Sequence, residues 1–181
     1  MGEAPLERLY AVSRGLYCLG AKAARPQAVR AGPPPTGKGA RMRDLGSFEG
    51  DWRIERRVAN ALGEDARLEG LARFCPLDTP SGGGALEVTE TGTMQLAGQS
   101  FAAERRYLWR TVGARIAVDF DDGRFFHDFA PGEISPEARH DCAPDLYLVT
   151  YDFSRWPDWT AHWRVTGPRK DYGMQTRYTR A

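Results

Sequence analysis

The sequence predicts an all-β fold, an antiparallel up-and-down barrel of about nine to ten strands over residues 42–181. Three observations predict it. After Met42 the apolar residues recur with period two, in short runs rich in Val, Ile, Tyr, Phe, Trp and Thr, and few windows sustain a helical period. Gly, Pro and Asp break those runs at even spacing. So many strands in so short a chain leave too many open edges unless the sheet closes, which favours a barrel over a sandwich.

The elements follow in order. A short helical turn over 43–48 precedes the first strand. Strands are expected over 50–60, 65–75, 85–96, 100–112, 114–120, 123–130, 138–142, 145–153, 158–166 and 172–180. Leu62-Gly63-Glu64-Asp65 separates the first pair, and Pro80-Ser81-Gly82-Gly83-Gly84 the second. Ala97-Gly98, Val112-Gly113 and Asp121-Asp122-Gly123 mark the next turns, and Trp156-Pro157-Asp158 a later one. Asp122-Gly123 between two apolar runs is the strongest hairpin signal.

Alternation assigns the faces. Ile116, Val118 and Phe120 point one way, with Arg115 and Asp119 opposite. Phe125, His127 and Phe129 share a face, opposite Arg124, Phe126 and Asp128. Tyr147, Val149, Tyr151 and Phe153 align, as do Trp159, Ala161, Trp163 and Val165, with Thr160, His162 and Arg164 outward. The interior is therefore aromatic with a few polar heads: His127, Tyr147, Tyr151 and the indoles of Trp159 and Trp163. Such a barrel either packs shut or holds one small ligand.

Charge separates the chain into two parts. Residues 1–41 carry seven basic and two acidic groups; 42–181 carry 18 basic and 22 acidic ones. The whole chain is near neutral at +1, which removes the electrostatic footprint of a general nucleic-acid binder. No apolar run approaches the roughly 20 residues of a membrane helix. Residues 1–41 are read as a disordered, low-complexity extension: one weak helix over 5–23, then a linker over 24–41 containing Pro33-Pro34-Pro35. Its Arg-rich, acid-poor character fits a targeting peptide, a partner-binding helix or a solvated tail. Met42 opens a compact pattern at once, so a misplaced gene start is a fourth reading. The expected compartment is the cytoplasm.

Phe48-Glu49-Gly50-Asp51-Trp52-Arg53-Ile54 resembles the Gly-x-Trp opening of lipocalin-type barrels. More closely, the whole of 42–181 resembles a mainly bacterial family, domain of unknown function 6314, whose fold is lipocalin-like. The matching blocks are Gly50-x-Trp52, Gly123-Arg124-Phe125-Phe126-His127, His140-Asp141-Cys142-x-x-Asp145-x-Tyr147, Trp159-x-x-x-Trp163, and Gly167-Pro168-Arg169-Lys170-Asp171-Tyr172 with Tyr178-x-Arg180. The resemblance implies a calycin-type barrel and no settled activity. Three cysteines without a disulfide framework depart from secreted lipocalins. In the Gly-x-Trp signature, Gly bends the chain and Trp plugs the closed end, with Arg177 or Arg180 stacked on its face.

The candidate ligand-binding residues are His127, His140, Cys142, Tyr147, Tyr151, Trp159, Trp163, Arg169, Lys170 and Tyr172. Phe125 and Phe129 would complete the lining. Arg169 and Lys170 place two cations at one rim, as an anion clamp would. The bland alternative pairs them with Asp171 or a neighbouring strand. His140 and Cys142 share a strand face, yet H-x-C is not a recurring zinc spacing, and no metal site is assigned. Cys142 could serve as a nucleophile only with a base such as His140 or His127. Acid–base work by His127 with Tyr147 or Tyr151, or haem ligation by His127, needs a cavity beside it. His162 reads as outward and Cys75 as core.

Three functional readings follow. The first is an intracellular module binding one small, partly apolar molecule, with His127, His140 and Arg169 fixing a polar or anionic head. An interior with no void beyond a water or two would exclude it. The second is a small-molecule enzyme using His127 and Cys142, although no catalytic signature is present and catalytic residues and cofactor remain unassigned. The third is a closed structural or partner-binding barrel.

Overall fold

The computed structural model describes residues 43–77 and 84–181. The expectations for 1–41, the helix, the linker and Cys18 lie outside the described residues, as does most of the Pro80–Gly84 turn. A 3-10 turn, Leu45–Phe48, opens the fold. Asp44 caps it: its carboxylate accepts from the Ser47 N–H at 2.9 Å, and the Ser47 hydroxyl accepts from the Asp44 N–H at 3.1 Å. Ten strands follow: β1 Gly50–Asn60, β2 Ala66–Leu77, β3 Ala85–Leu96, β4 Gln99–Val112, β5 Arg115–Phe120, β6 Phe125–Phe129, β7 Glu137–Cys142, β8 Asp145–Asp152, β9 Trp159–Gly167 and β10 Lys170–Arg180.

All ladders are antiparallel, and the sheet order is β6-β5-β4-β3-β2-β1-β10-β9-β8-β7. Each strand pairs with its sequence neighbours except β6 with β7, and β10 returns to pair with β1, Trp52 opposite Arg180. The cycle therefore lacks one ladder, between β6 and β7. This is a nearly closed barrel with a gap at one side. Among the described residues no helix is long and apolar enough to cross a membrane.

One end is sealed by aromatic rings. The 3-10 turn drops Phe48, fully buried, among Trp109, Phe153, Trp156 and Trp159, with centroids 5.2–5.8 Å apart. Trp52 is also fully buried, and its indole N–H donates to the Phe48 carbonyl at 2.8 Å. Arg180 is the late-strand partner, its guanidinium 3.9 Å from the Trp52 ring centre. Arg180 also donates to the Glu49 and Ser47 carbonyls, at 2.5 and 2.8 Å. Gly50 is required beside it: its φ is +112°, and an added Cβ would lie 2.9 Å from the Arg180 guanidinium.

The predicted faces hold for β8 and β9. Tyr147, Val149, Tyr151, Trp159, Ala161 and Val165 are buried, and His162 is exposed. The β6 assignment holds at His127 and Phe129, both buried, and is corrected at Phe125 and Phe126. Phe125 is 47% exposed and Phe126 is buried, the reverse of the alternation. The cause is a register shift against β5: Val118 faces His127 but Asp119 faces Phe125. Phe126 is the extra residue and turns inward. Cys75 is corrected as well. It is free and exposed, because Phe74 takes the inward position beside it.

Candidate functional site

The inward positions of the central strands carry charge. On β1 the inward series Trp52, Ile54 and Val58 includes Arg56, and on β3 the series Leu86, Val88 and Met94 includes Glu90. Both are almost fully buried, with side chains 2% and 7% exposed. Arg56 donates to Glu90 Oε2 at 2.7 Å and to Thr176 Oγ1 at 2.6 Å. The Tyr178 hydroxyl donates to Glu90 Oε1 at 2.7 Å. Burial alone would raise the Glu90 carboxyl. The Arg56 and Arg105 guanidiniums, with hydrogen bonds from Tyr178 and Arg56, outweigh it and hold the carboxyl below its ordinary range.

Across the barrel, His127 Nε2 lies 2.7 Å from the Tyr151 hydroxyl. Burial drives the His127 imidazole down from 6.5 to about 3, with a smaller push from His140. His127 is therefore neutral. The Tyr151 hydroxyl, itself driven well up by burial, keeps its proton. The two groups share one hydrogen bond, whose direction is set by the imidazole tautomer. His127 Nδ1 has no hydrogen-bond partner, and neither do Trp159 Nε1 and His140 Nε2, all three buried.

A cavity of about 40 Å³ lies between these groups, lined by Arg56, Glu90, Arg105, His127, Tyr151 and Trp159 among others. One water needs roughly 10–15 Å³ of such space, so about three fit. Phe126 borders it and stacks between Tyr107 and Trp163, with ring centres 6.3 and 5.1 Å away. A wider groove of about 650 Å³ runs outside the barrel near the β1–β2 and β3–β4 turns, past Arg57, Arg67 and Gln95. Those side chains are exposed, and no orphaned buried polar atom belongs to that groove.

The sequence-derived candidates separate into groups. His127, Tyr151, Trp159 and Trp163 line the central cavity. Tyr147 and Tyr172 are buried towards the other end of the barrel. There Lys170 pairs with Asp145 at 2.6 Å and donates to the Tyr147 hydroxyl at 2.7 Å. Asp171 pairs with Arg164, and Arg169 is exposed on the β9–β10 turn. Lys170 is thus already neutralised within the chain. His140 is half-buried and packs on Phe126, 5.0 Å between ring centres. Cys142 is buried at the end of β7. Sequence reasoning missed Arg56, Glu90 and Arg105. Their parity with apolar neighbours was the available signal.

With this geometry in place, the chain can be set beside known proteins. Residues 48–180 match the family model described as "Family of unknown function (DUF6314)". The chain belongs to this family. The fold of the DUF6314 barrel is similar to that of an S-type phycobiliprotein lyase, CPES, from Guillardia theta. That likeness has a TM-score of 0.57 at 6% identity and covers 76% of this chain and 90% of the lyase. At so low an identity it is a likeness of fold. No curated protein is significantly similar in sequence.

His127 makes the DUF6314 barrel acid-sensitive. Its folded pKa is depressed, so its contribution is fully present above about 6.5 and is lost progressively towards about 3. The urea midpoint is expected to fall between neutral pH and about pH 5, above most carboxylate titrations. His127→Gln should flatten that fall. A midpoint that holds steady or rises over this window would contradict a buried neutral His127.

Proposed function

We propose that the barrel binds one small, partly apolar molecule, seated against the central cavity. One observation carries this reading. The ring nitrogens of His127 and Trp159 are buried without partners, and both residues line the same cavity. Native interiors leave few such groups unmet, since each costs about 1–3 kcal/mol. Aromatic walls supply the apolar contact. The fold likeness to a phycobiliprotein lyase supports the reading only as a barrel fold.

The cavity limits what enters. At about 40 Å³ it takes a head group, not a whole drug-sized molecule. A larger body has to extend past Phe126, Tyr107 and Trp163. The rival is a closed structural barrel, which the nearly filled interior favours.

Native mass spectrometry of the full chain, purified from its own host, separates the two. Binding predicts a reproducible extra mass that is lost in His127→Ala. A bare chain mass in both proteins favours the closed barrel.

A further inference from the structure

The bulge in β6 places Phe126 inside a box of other aromatic rings. Phe120, Trp163 and Tyr107 lie nearly parallel to it, with centres 4.5, 5.1 and 6.3 Å away and planes within 29°. His127, His140 and Tyr147 meet its ring edge-on, at 4.7, 5.0 and 6.2 Å. The box therefore fits one flat six-membered ring, and Phe126 is the ring it holds. Phe126 is skipped in the register with β5, and β6 ends the sheet, so its other edge carries no ladder. Tyr107, Phe120 and Trp163 are part-exposed, so the box reaches the surface. The plug end offers no such opening, since Phe48 and Trp52 are fully buried. On its inner side the box borders the central cavity, which Phe126 and Trp159 both line. The Trp159 indole N–H, a group that can only donate, is buried there without an acceptor.

We propose that this box is the ring subsite of the barrel: a flat aromatic ring displaces Phe126 from it, and a hydrogen-bond acceptor carried by that ring enters the cavity and takes the Trp159 N–H. This assignment rests on the binding reading above and names its ligand class, a small aryl compound bearing an acceptor such as a carbonyl. A saturated ring is too thick to stack among near-parallel faces. An aromatic ring without an acceptor leaves the Trp159 N–H buried and unmet. Phe126 tunes the affinity, because the ligand ring and a side chain of the protein compete for the same space.

The test uses three probes of similar size. Acetophenone has the flat ring and the acceptor, acetylcyclohexane only the acceptor, and ethylbenzene only the flat ring. The full chain is labelled with ¹⁵N at tryptophan, and Trp159→Phe identifies the Trp159 indole signal among those of the five tryptophans. Acetophenone is expected to move that signal saturably, with a Kd about tenfold below that of acetylcyclohexane, which cannot stack. Its Kd should also lie about tenfold below that of ethylbenzene, which leaves the indole unmet. Phe126→Ala removes the competing ring and should tighten acetophenone about tenfold, the gain expected if Phe126 vacates the box in about one molecule in ten. Should Phe126→Ala not fold, Phe126→Leu carries the same prediction with a smaller gain. No saturable shift, equal binding of acetylcyclohexane or ethylbenzene, or no gain in the variant would each overturn the ring subsite. Binding by the variant alone would show an engineered hole and overturn it too. If the host-purified protein carries a non-aromatic molecule while acetophenone fails, the binding reading stands and the ring subsite falls. If it carries nothing and acetophenone also fails, both fall.

Discussion

Arg56→Met is expected to destabilise the barrel by about 3–5 kcal/mol, the cost of leaving one buried charge without its partner. The Arg56 guanidinium is the direct counterion of Glu90 at 2.7 Å, and both are nearly inaccessible to water. Removing Arg56 strands the Glu90 carboxylate in a low-dielectric interior and leaves the Thr176 hydroxyl without its 2.6 Å donor. Burial then weighs more heavily against the charged form, with only Arg105 and Tyr178 left to oppose it, and the Glu90 carboxyl rises from its place in the wild-type protein. The sign of the pH effect follows. Relative to the wild type, that raised carboxyl destabilises the fold above its pKa and ceases to do so as pH falls and it protonates. The deficit should therefore be largest near neutrality and shrink in acid. Arg56→Met combined with Glu90→Leu removes both charges and should cost clearly less than Arg56→Met alone. Urea midpoints of the three proteins at two pH values test this. A single-variant cost below about 1 kcal/mol, typical of exposed pairs, would mean that water reaches the pair.

Gly70→Ala is expected to be nearly as damaging for a different reason. Gly70 on β2 faces Gly92 on β3, and the two backbones approach closely. A Cβ on Gly70 would sit 2.1 Å from the Thr91 carbonyl oxygen and 2.7 Å from the Gly92 Cα. Both are backbone atoms, so no rotamer change relieves the clash. The ladder has to separate where the sheet bends. Overpacking that moves backbone costs about 3 kcal/mol or more. For a chain of this size that lowers the melting temperature by about 6–12 °C. Gly84→Ala is the control, since its Cβ would meet only the Leu45 side chain at an ordinary 3.6 Å. A Gly70→Ala protein melting with wild type would show that the strands do not pack this closely in solution.

Much of the barrel was legible because period-two alternation is a local property. β8 reads directly: Tyr147, Val149 and Tyr151 alternate with residues that face outward or lie part-exposed. The Arg180 stack on Trp52 could be narrowed to two arginines by position, and register chose between them. In β6, His127 and Phe129 are buried as expected, and only Phe125 and Phe126 depart, because the register shift falls between them and His127. Nothing in Phe125-Phe126-His127 signals where the shift falls, since either phenylalanine suits either face. Cys75 failed for the opposite reason: its parity was correct, but its residue type suggested burial.

The candidate site was half legible. His127, Tyr151, Trp159 and Trp163 were found by parity among apolar neighbours, and they do meet at one cavity. Arg56, Glu90 and Arg105 share that parity but are charged, and a charge on a strand is ordinarily solvent-facing. The burial of Arg56 and Glu90 depends on partners from other strands: Thr176 and Tyr178 on β10, and each other across β1 and β3.

The sequence by itself determined the strand class, the turn positions, the aromatic interior and the family, because these depend on residues close together in the chain. Only the tertiary structure decided which strand edges meet, where the bulge falls and how much space the barrel leaves. It also decided that two guanidiniums and one carboxylate share that space. Those outcomes depend on residues as far apart as Arg56 and Thr176, whose meeting is fixed by sheet closure and packing, not by any local pattern.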